Sequence, residues 1–90
     1  MLRLRGMILL VWPSSTSTHA ETWKLFELSG LVHSDREARI ALTNRLLYVN
    51  DEVVTNKHIT PLNSNIILKI KTGRRVKELP VFLVNRLYRV

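Results

Sequence analysis

The sequence predicts an α+β domain in which two short N-terminal helices pack on a small, mainly antiparallel sheet of three to four strands. Three observations support this class. Two segments with apolar residues three and four positions apart come first, as amphipathic helices require. Short apolar runs separated by polar turns follow, which is typical of strands. Ninety residues, 46% of them apolar, suffice for one domain with a modest core, or for one domain and a tail.

The first predicted helix covers residues 21–29. Trp23 and Phe26 lie three residues apart in it, so we expect Trp23 in the core rather than as a platform for base stacking. Gly30 follows directly and supplies the left-handed residue on which many helices end.

The second predicted helix, residues 35–44, has the clearest start signal in the chain. Ser34 and Glu37 fit a capping box, in which the serine hydroxyl accepts a free amide and the glutamate reaches back to the helix start. Spacings of three and four then give the helix an inner apolar stripe and a separate basic face. The stripe is Ala38, Ala41 and Leu42, and the basic pair is Arg36 and Arg39.

A tight hairpin is predicted next. Strands at 46–49 and 53–55 flank the polar turn at 50–52, and its Asn50 and Asp51 tolerate positive φ. The remaining segments are predicted as a loop, a third strand, a turn and a return strand, at 56–65, 66–71, 72–75 and 81–84.

The first twenty residues differ from the rest. They contain Arg3 and Arg5 but no acidic residue, and a short apolar run leads into a stretch rich in Ser and Thr. Such a segment resembles a mitochondrial or chloroplast transit peptide. We expect the protein in the mitochondrion, with the cytoplasm as the alternative. A secretory signal, a disordered tail or a wrongly assigned start are the alternatives. The apolar run is shorter than the roughly 20 residues that span a bilayer.

Basic residues outnumber acidic ones by fourteen to seven, for a net charge of +7. Such a surplus attracts polyanions, so RNA, DNA and anionic lipid are all compatible partners. Six basic residues occur between Val53 and Lys77 without an acid: Lys57, Lys69, Lys71, Arg74, Arg75 and Lys77. Lys69 and Lys71 share one strand face, where they can equally serve to prevent edge aggregation. Arg74 and Arg75 lie at a turn, where guanidinium groups reach phosphates without burial.

No pattern for catalysis is present. The chain has no cysteine, its three histidines lack metal-ligand spacing, and its three glycines form no phosphate-binding loop. His33, beside the predicted cap, is expected to be an exposed loop residue. We therefore predict a protein that is not an enzyme and needs no cofactor or metal.

The order of these motifs resembles the RNA-binding domain of ribosomal protein S-four, also called the alpha-L motif, which is found too in the C-terminal domain of tyrosyl-tRNA synthetases. The resemblance covers about residues 21–75. Its matching positions, in register without a gap, are Ser29, Gly30, Leu31, Ser34, Glu37, Ala38, Arg39, Leu42, Leu47, Val49 and Asn50.

The chain departs from the family pattern at several positions. Arg45 and Leu46 replace a usual glycine pair, so Asn44 or Arg45 has to adopt the left-handed conformation. Asp51 replaces a hairpin glycine. Three positions that are often basic hold Asp35, Ile40 and Thr43.

The resemblance implies non-catalytic binding of structured RNA, either ribosomal or transfer RNA, in organellar translation or ribosome assembly. Ribosomal proteins are further expected partners. The alternative is an RNA-anchoring domain of a tyrosyl-tRNA synthetase, with that enzyme's catalytic domain as partner. A protein-interaction or membrane-surface module is a third hypothesis, although the long basic amphipathic helix it needs is missing.

The implied organisation has three parts: a leader or flexible tail at 1–20, the RNA-binding domain at 21–77, and a C-terminal strand or extension at 78–90. The residues expected to contact RNA are Lys24, Arg36, Arg39, Arg45, Lys57, Arg74 and Arg75.

Overall fold

The computed structural model describes residues 7–14 and 16–86, and within these ranges the protein is an α+β domain with a mainly antiparallel sheet. The helices are a 3-10 turn at Thr22–Lys24, α1 at Leu25–Leu28 and α2 at Asp35–Thr43. The strands are β1 Ile8–Trp12, β2 His19–Glu21, β3 Leu47–Val49, β4 Glu52–Val53, β5 Ile59–Pro61, β6 Ser64–Thr72 and β7 Arg75–Asn85. The main sheet has the order β1-β7-β6-β3-β4, and β2 pairs with β5 in a second, two-stranded sheet.

The predicted strand number and helix placement need correction. The main sheet has five strands rather than three to four, and two strands precede the helices, so the helices are not N-terminal. The extra strand is β1, which runs parallel to β7 with Ile8 opposite Val81 and Trp12 opposite Asn85. Leu10 is buried while its neighbours stay half exposed, which is the period-two pattern of a strand.

Segment 1–20, expected as a leader or tail, thus contains β1 and the first two residues of β2. Arg3 and Arg5 lie outside the described residues. The boundary expected after residue 77 falls inside β7, and residues 87–90 are also outside the described ranges.

The segment predicted as a loop, 56–65, contains a strand, so that prediction was wrong. Residues of β5 pair antiparallel with β2, with Thr60 opposite Ala20. The buried hydroxyls of Thr60 and Thr22 lie 2.7 Å apart and satisfy each other. This pairing attaches the segment before the helices to the strand that follows the hairpin.

The predicted helix cap is confirmed at its central bond. The Ser34 hydroxyl accepts the Glu37 backbone N–H at 3.0 Å, which satisfies one free amide of α2. The Glu37 carboxylate reaches back to the N–H of His33 at 3.4 Å, one residue earlier than the motif predicts. Gly30, with φ +85°, ends the first helical segment as expected.

The tight hairpin between β3 and β4 is also confirmed. Asn50 and Asp51 have φ values of +48° and +67°, as a turn with two left-handed central residues requires. Asn50 donates its N–H to the Ile67 carbonyl at 3.0 Å, and its side-chain oxygen accepts the Ile67 N–H at 2.9 Å. The asparagine therefore fastens the turn to β6.

The main sheet has two different faces. Along β6, Ile66, Leu68 and Ile70 are buried beneath the helices, while Lys69 and Lys71 lie on the opposite face. We call these the helix-bearing face and the open face. The core between helices and sheet includes Leu25, Phe26, Ala38, Leu47, Leu68 and Leu83.

Candidate nucleic-acid interface

The residue that follows the C-cap of α2 is Arg45, and it adopts the left-handed backbone conformation that glycine usually supplies at this position. Leu46 donates its N–H to the Ala41 carbonyl at 3.0 Å, and Arg45 donates to the Leu42 carbonyl at 3.1 Å, which together form a Schellman motif. Arg45 has φ +57°, whereas Asn44 has φ −85°. Of the two residues predicted as left-handed, it is Arg45 that adopts that conformation.

This conformation strains Arg45. A side chain in the left-handed region costs about 1–2 kcal/mol, which is why glycine dominates this helix position. Strained non-glycine residues occur mainly where the side chain has a use. Arg45 is exposed, so packing in the core does not explain its presence.

Arg45 lines a groove of about 680 Å³. The groove lies between α2 on one side and residues 53–56, from the end of β4 onward, on the other. Among residues 7–14 and 16–86, none of those that line the groove is acidic. Its lining residues are Trp23, Arg39, Leu42, Thr43, Arg45, Val53, Val54, Thr55 and Asn56.

Arg39 is held in place beside this groove. Its Nε donates to the Asp35 carboxylate at 2.8 Å, and its guanidinium carbon lies 5.4 Å from the centroid of the Trp23 ring. Trp23 is only 7% exposed, which confirms it as a core residue. Because an arginine carries five N–H donors, four remain for a ligand once Asp35 has taken one.

A second, smaller concavity of about 260 Å³ adjoins the groove through Arg39 and Thr43. Arg36 lines it from the same face of α2. Ile40 belongs to the same lining and is 52% exposed, so an apolar side chain lies beside Arg36 and Arg39.

The hairpin from β6 to β7 brings more basic residues to the same end of the sheet. Lys71 donates its backbone N–H to the Leu46 carbonyl at 2.9 Å, which places this end of β6 beside the residue after Arg45. Arg75 is in register with Thr72, and Lys77 with Ile70, so both belong to the helix-bearing face. Arg74 occupies the turn after Gly73.

Lys77 was recognised as part of the basic run but was not expected at the site. Its register opposite the buried Ile70 places it on the helix-bearing face. Counting alternate residues along the return strand would have found it, but the strand was predicted to begin only at Val81. We call Arg36, Arg39, Arg45, Arg75 and Lys77 the basic patch.

Lys69 and Lys71 lie on the open face, as their spacing predicted. Lys69 forms ion pairs with Asp51 and with Glu78, the latter at 3.2 Å. Hydrogen bonding to Asp51 and Glu78 raises the pKa of Lys69, and the bond to Lys69 lowers the pKa of Asp51. The ammonium group of Lys71 lies 4.4 Å from the Tyr48 ring centroid. The charge of Lys69 is therefore neutralised locally, away from the basic patch.

Three of the residues expected to contact RNA lie outside the patch: Lys24, Lys57 and Arg74, the last of which occupies the turn between β6 and β7. Lys24 pairs with Glu21 at 3.2 Å, and it borders a different concavity together with Glu27 and Asp35, so its surroundings are acidic. Lys57 is exposed and directly follows the groove residue Asn56.

Most of these cations lack an acidic partner. Within residues 7–14 and 16–86, no carboxylate oxygen lies within 4 Å of the nitrogens of Arg36, Arg45, Lys57, Arg74, Arg75 or Lys77. The described part of the chain also holds no group of three side chains suited to a metal ion. None of its helices is long and apolar enough to cross a membrane.

No protein-family model matches the chain, and no curated protein is similar enough to match it. The alpha-L resemblance therefore rests on the sequence register between Ser29 and Asn50.

Proposed function

We propose that this domain binds structured RNA, ribosomal or transfer, through the basic patch and catalyses no reaction itself. The observation that carries the proposal is the distribution of unpaired cations. Among the described residues, only Arg39 of the five patch residues has a carboxylate partner, Asp35. On the open face, by contrast, Lys69 pairs with two carboxylates, those of Asp51 and Glu78. Concentrated positive charge of this kind repels itself unless a polyanion covers it.

RNA suits the surface better than a small anion does. A-form RNA hides its base edges in a deep, narrow groove, so proteins recognise its phosphates and the shape of its helical junctions. The patch extends from the exposed side of α2 to the first residues of β7 and offers several separated phosphate contacts rather than one pocket. The register from Ser29 to Asn50 that resembles the alpha-L motif supports the same class of ligand. A role in organellar translation is part of this proposal.

The test is a binding titration with purified protein. We would label a transfer RNA transcript and a ribosomal RNA junction fragment, and measure affinity between roughly 50 and 200 mM salt. Each neutralised phosphate contributes about −0.7 to −0.9 to the slope of log affinity against log salt, so four contacts give a slope near −3. Absence of binding at the lowest salt would overturn the proposal.

A matched pair of variants tests the location of the surface. Arg45→Gln removes one patch charge, and Arg86→Gln removes one exposed charge that follows β7 at the opposite end of the sheet. Both change the net charge by one. We expect Arg45→Gln to weaken binding at least about fivefold and Arg86→Gln less than twofold, since only contacts near the RNA count fully. Equal losses would assign the binding to net charge alone.

A further inference from the structure

We propose that the groove between α2 and β4 takes one unpaired nucleobase of the bound RNA, with Arg39 and Arg45 holding the phosphates on either side of it. This inference rests on the proposed function. It adds a site and a kind of RNA: a strand that leaves a helix at a bulge or junction, rather than a continuous duplex.

The lining of the groove suits a base better than a phosphate alone. Leu42 and Val54 contribute apolar side chains, while Thr43 and Asn56 contribute hydroxyl and amide groups. A base has two apolar faces and a hydrogen-bonding edge, so it uses both kinds of lining, whereas a phosphate gains nothing from the apolar part. The volume of about 680 Å³ lies within the range of roughly 300–1,000 Å³ typical of small-ligand sites.

The charges at the groove favour a nucleotide. Its two charged lining residues are Arg39 and Arg45, and no carboxylate lies among them. Asp35 and the Trp23 ring fix the guanidinium of Arg39 and leave its other donors available. A fixed guanidinium loses little freedom on binding a phosphate.

Ile40 supplies a second, independent observation. It is 52% exposed and lies in the concavity that shares Arg39 and Thr43 with the groove. Ile40 shares this concavity with Arg36 and Arg39, so an apolar contact lies directly beside the cations, and duplex phosphates alone would leave it unused. Next to an unpaired nucleotide, the same side chain can cover a sugar or the face of the adjoining base pair.

Three RNA hairpins of equal stem sequence test the inference. The first has a single bulged uridine, the second has an abasic residue at the bulge, and the third has no bulge. We expect the bulged uridine to bind at least about fivefold more tightly than the abasic bulge, because the abasic residue lacks the base that would make the apolar and hydrogen-bonding contacts in the groove. The abasic bulge and the paired hairpin should differ little.

Crosslinking locates the base. With 4-thiouridine at the bulge, we expect photo-crosslinks within residues 42–45 or 53–56. Crosslinks confined to the open face would overturn the inference, as would equal affinity for the uridine and abasic bulges. Unlabelled oligoglutamate and the unlabelled paired hairpin are then added as competitors of the crosslink. If oligoglutamate abolishes the crosslink at a lower concentration than the paired hairpin does, the groove belongs to an acidic protein segment instead. If all three hairpins bind alike, only the groove inference fails; if none binds at low salt, the proposed function fails as well.

Discussion

The guanidinium of Arg39 lies over the ring of Trp23, 5.4 Å from the ring centroid, while its Nε bonds Asp35 at 2.8 Å. Trp23 is a core residue, so the ring is a fixed surface on which the arginine rests. The exposed pair with Asp35 contributes little to stability, about 0–1 kcal/mol. We infer that the arrangement orients a ligand-binding group more than it stabilises the fold.

Arg39→Lys tests this inference at constant charge. Lysine lacks the planar fork that fits both the ring and a phosphate, so we expect RNA affinity to fall about three- to tenfold. The free energy of unfolding should change by less than about 1 kcal/mol. Fluorescence anisotropy measures the first quantity and urea unfolding the second, with Arg86→Lys as the control. Unchanged affinity would show that only the charge of Arg39 matters.

Arg45→Gly separates stability from binding. Glycine removes about 1–2 kcal/mol of left-handed strain, but it makes the unfolded chain more flexible by about 0.4–1 kcal/mol. We therefore expect stability to stay the same or to rise by up to about 1.6 kcal/mol, while RNA affinity falls. A variant that is clearly less stable would mean that Arg45 is kept for the fold, for instance for the helix dipole.

The local features of the fold were predictable because the residues that decide them are neighbours in sequence. The Ser34 cap, the turn at Asn50 and Asp51, and the left-handed residue after α2 each depend on a few adjacent residues. The strand β1 was not predicted, because its partner β7 lies some seventy residues further along and no local signal encodes a parallel pairing. An apolar run between arginines and serines is equally typical of a leader.

The candidate site was predictable in part for the same reason. Arg36 and Arg39 follow from the helix period, and Arg45 from the position where a glycine was expected. The position of Arg75 and Lys77 depends on the pairing of β6 with β7. The return strand was predicted only at 81–84, so the sequence pattern did not include the residues of β7 that carry these two cations. Glu21 and Glu27 each lie three residues from Lys24, so the helix period could have revealed part of its acidic surroundings. Only Asp35 reaches the same concavity through the tertiary arrangement.

The pH dependence of stability should reveal the ion pairs of Lys69. The pKa of Asp51 is lowered by the bond to Lys69, so this pair stabilises the fold above the ordinary carboxyl pKa of 3.8 and loses that contribution as the pH falls through the lowered pKa. The pKa of Lys69 is raised above 10.5, so its contribution is lost as the pH rises through the raised value.

Asp51→Asn is the variant for the acid range, because asparagine keeps the positive φ of the turn accessible. We expect the free energy of unfolding of this variant to fall less steeply below about pH 4 than that of the unchanged protein. Urea unfolding at a series of pH values measures this slope. Parallel curves for the two proteins would contradict a folded-state pair between Asp51 and Lys69.

Adjacent leucines in β1 show whether this strand belongs to the folded domain in solution. Leu10 is 6% exposed and lies opposite Leu83, whereas Leu9 is 46% exposed on the open face. We expect Leu10→Ala to lower the free energy of unfolding by about 2–5 kcal/mol, since it leaves a cavity in the core, and Leu9→Ala to change it by about 0.5 kcal/mol or less. Both variants remove the same atoms from neighbouring positions, so the difference between them measures burial alone. If urea unfolding gives equal, small effects, β1 does not pack on the sheet, and segment 1–20 behaves as the leader or tail that its composition predicts.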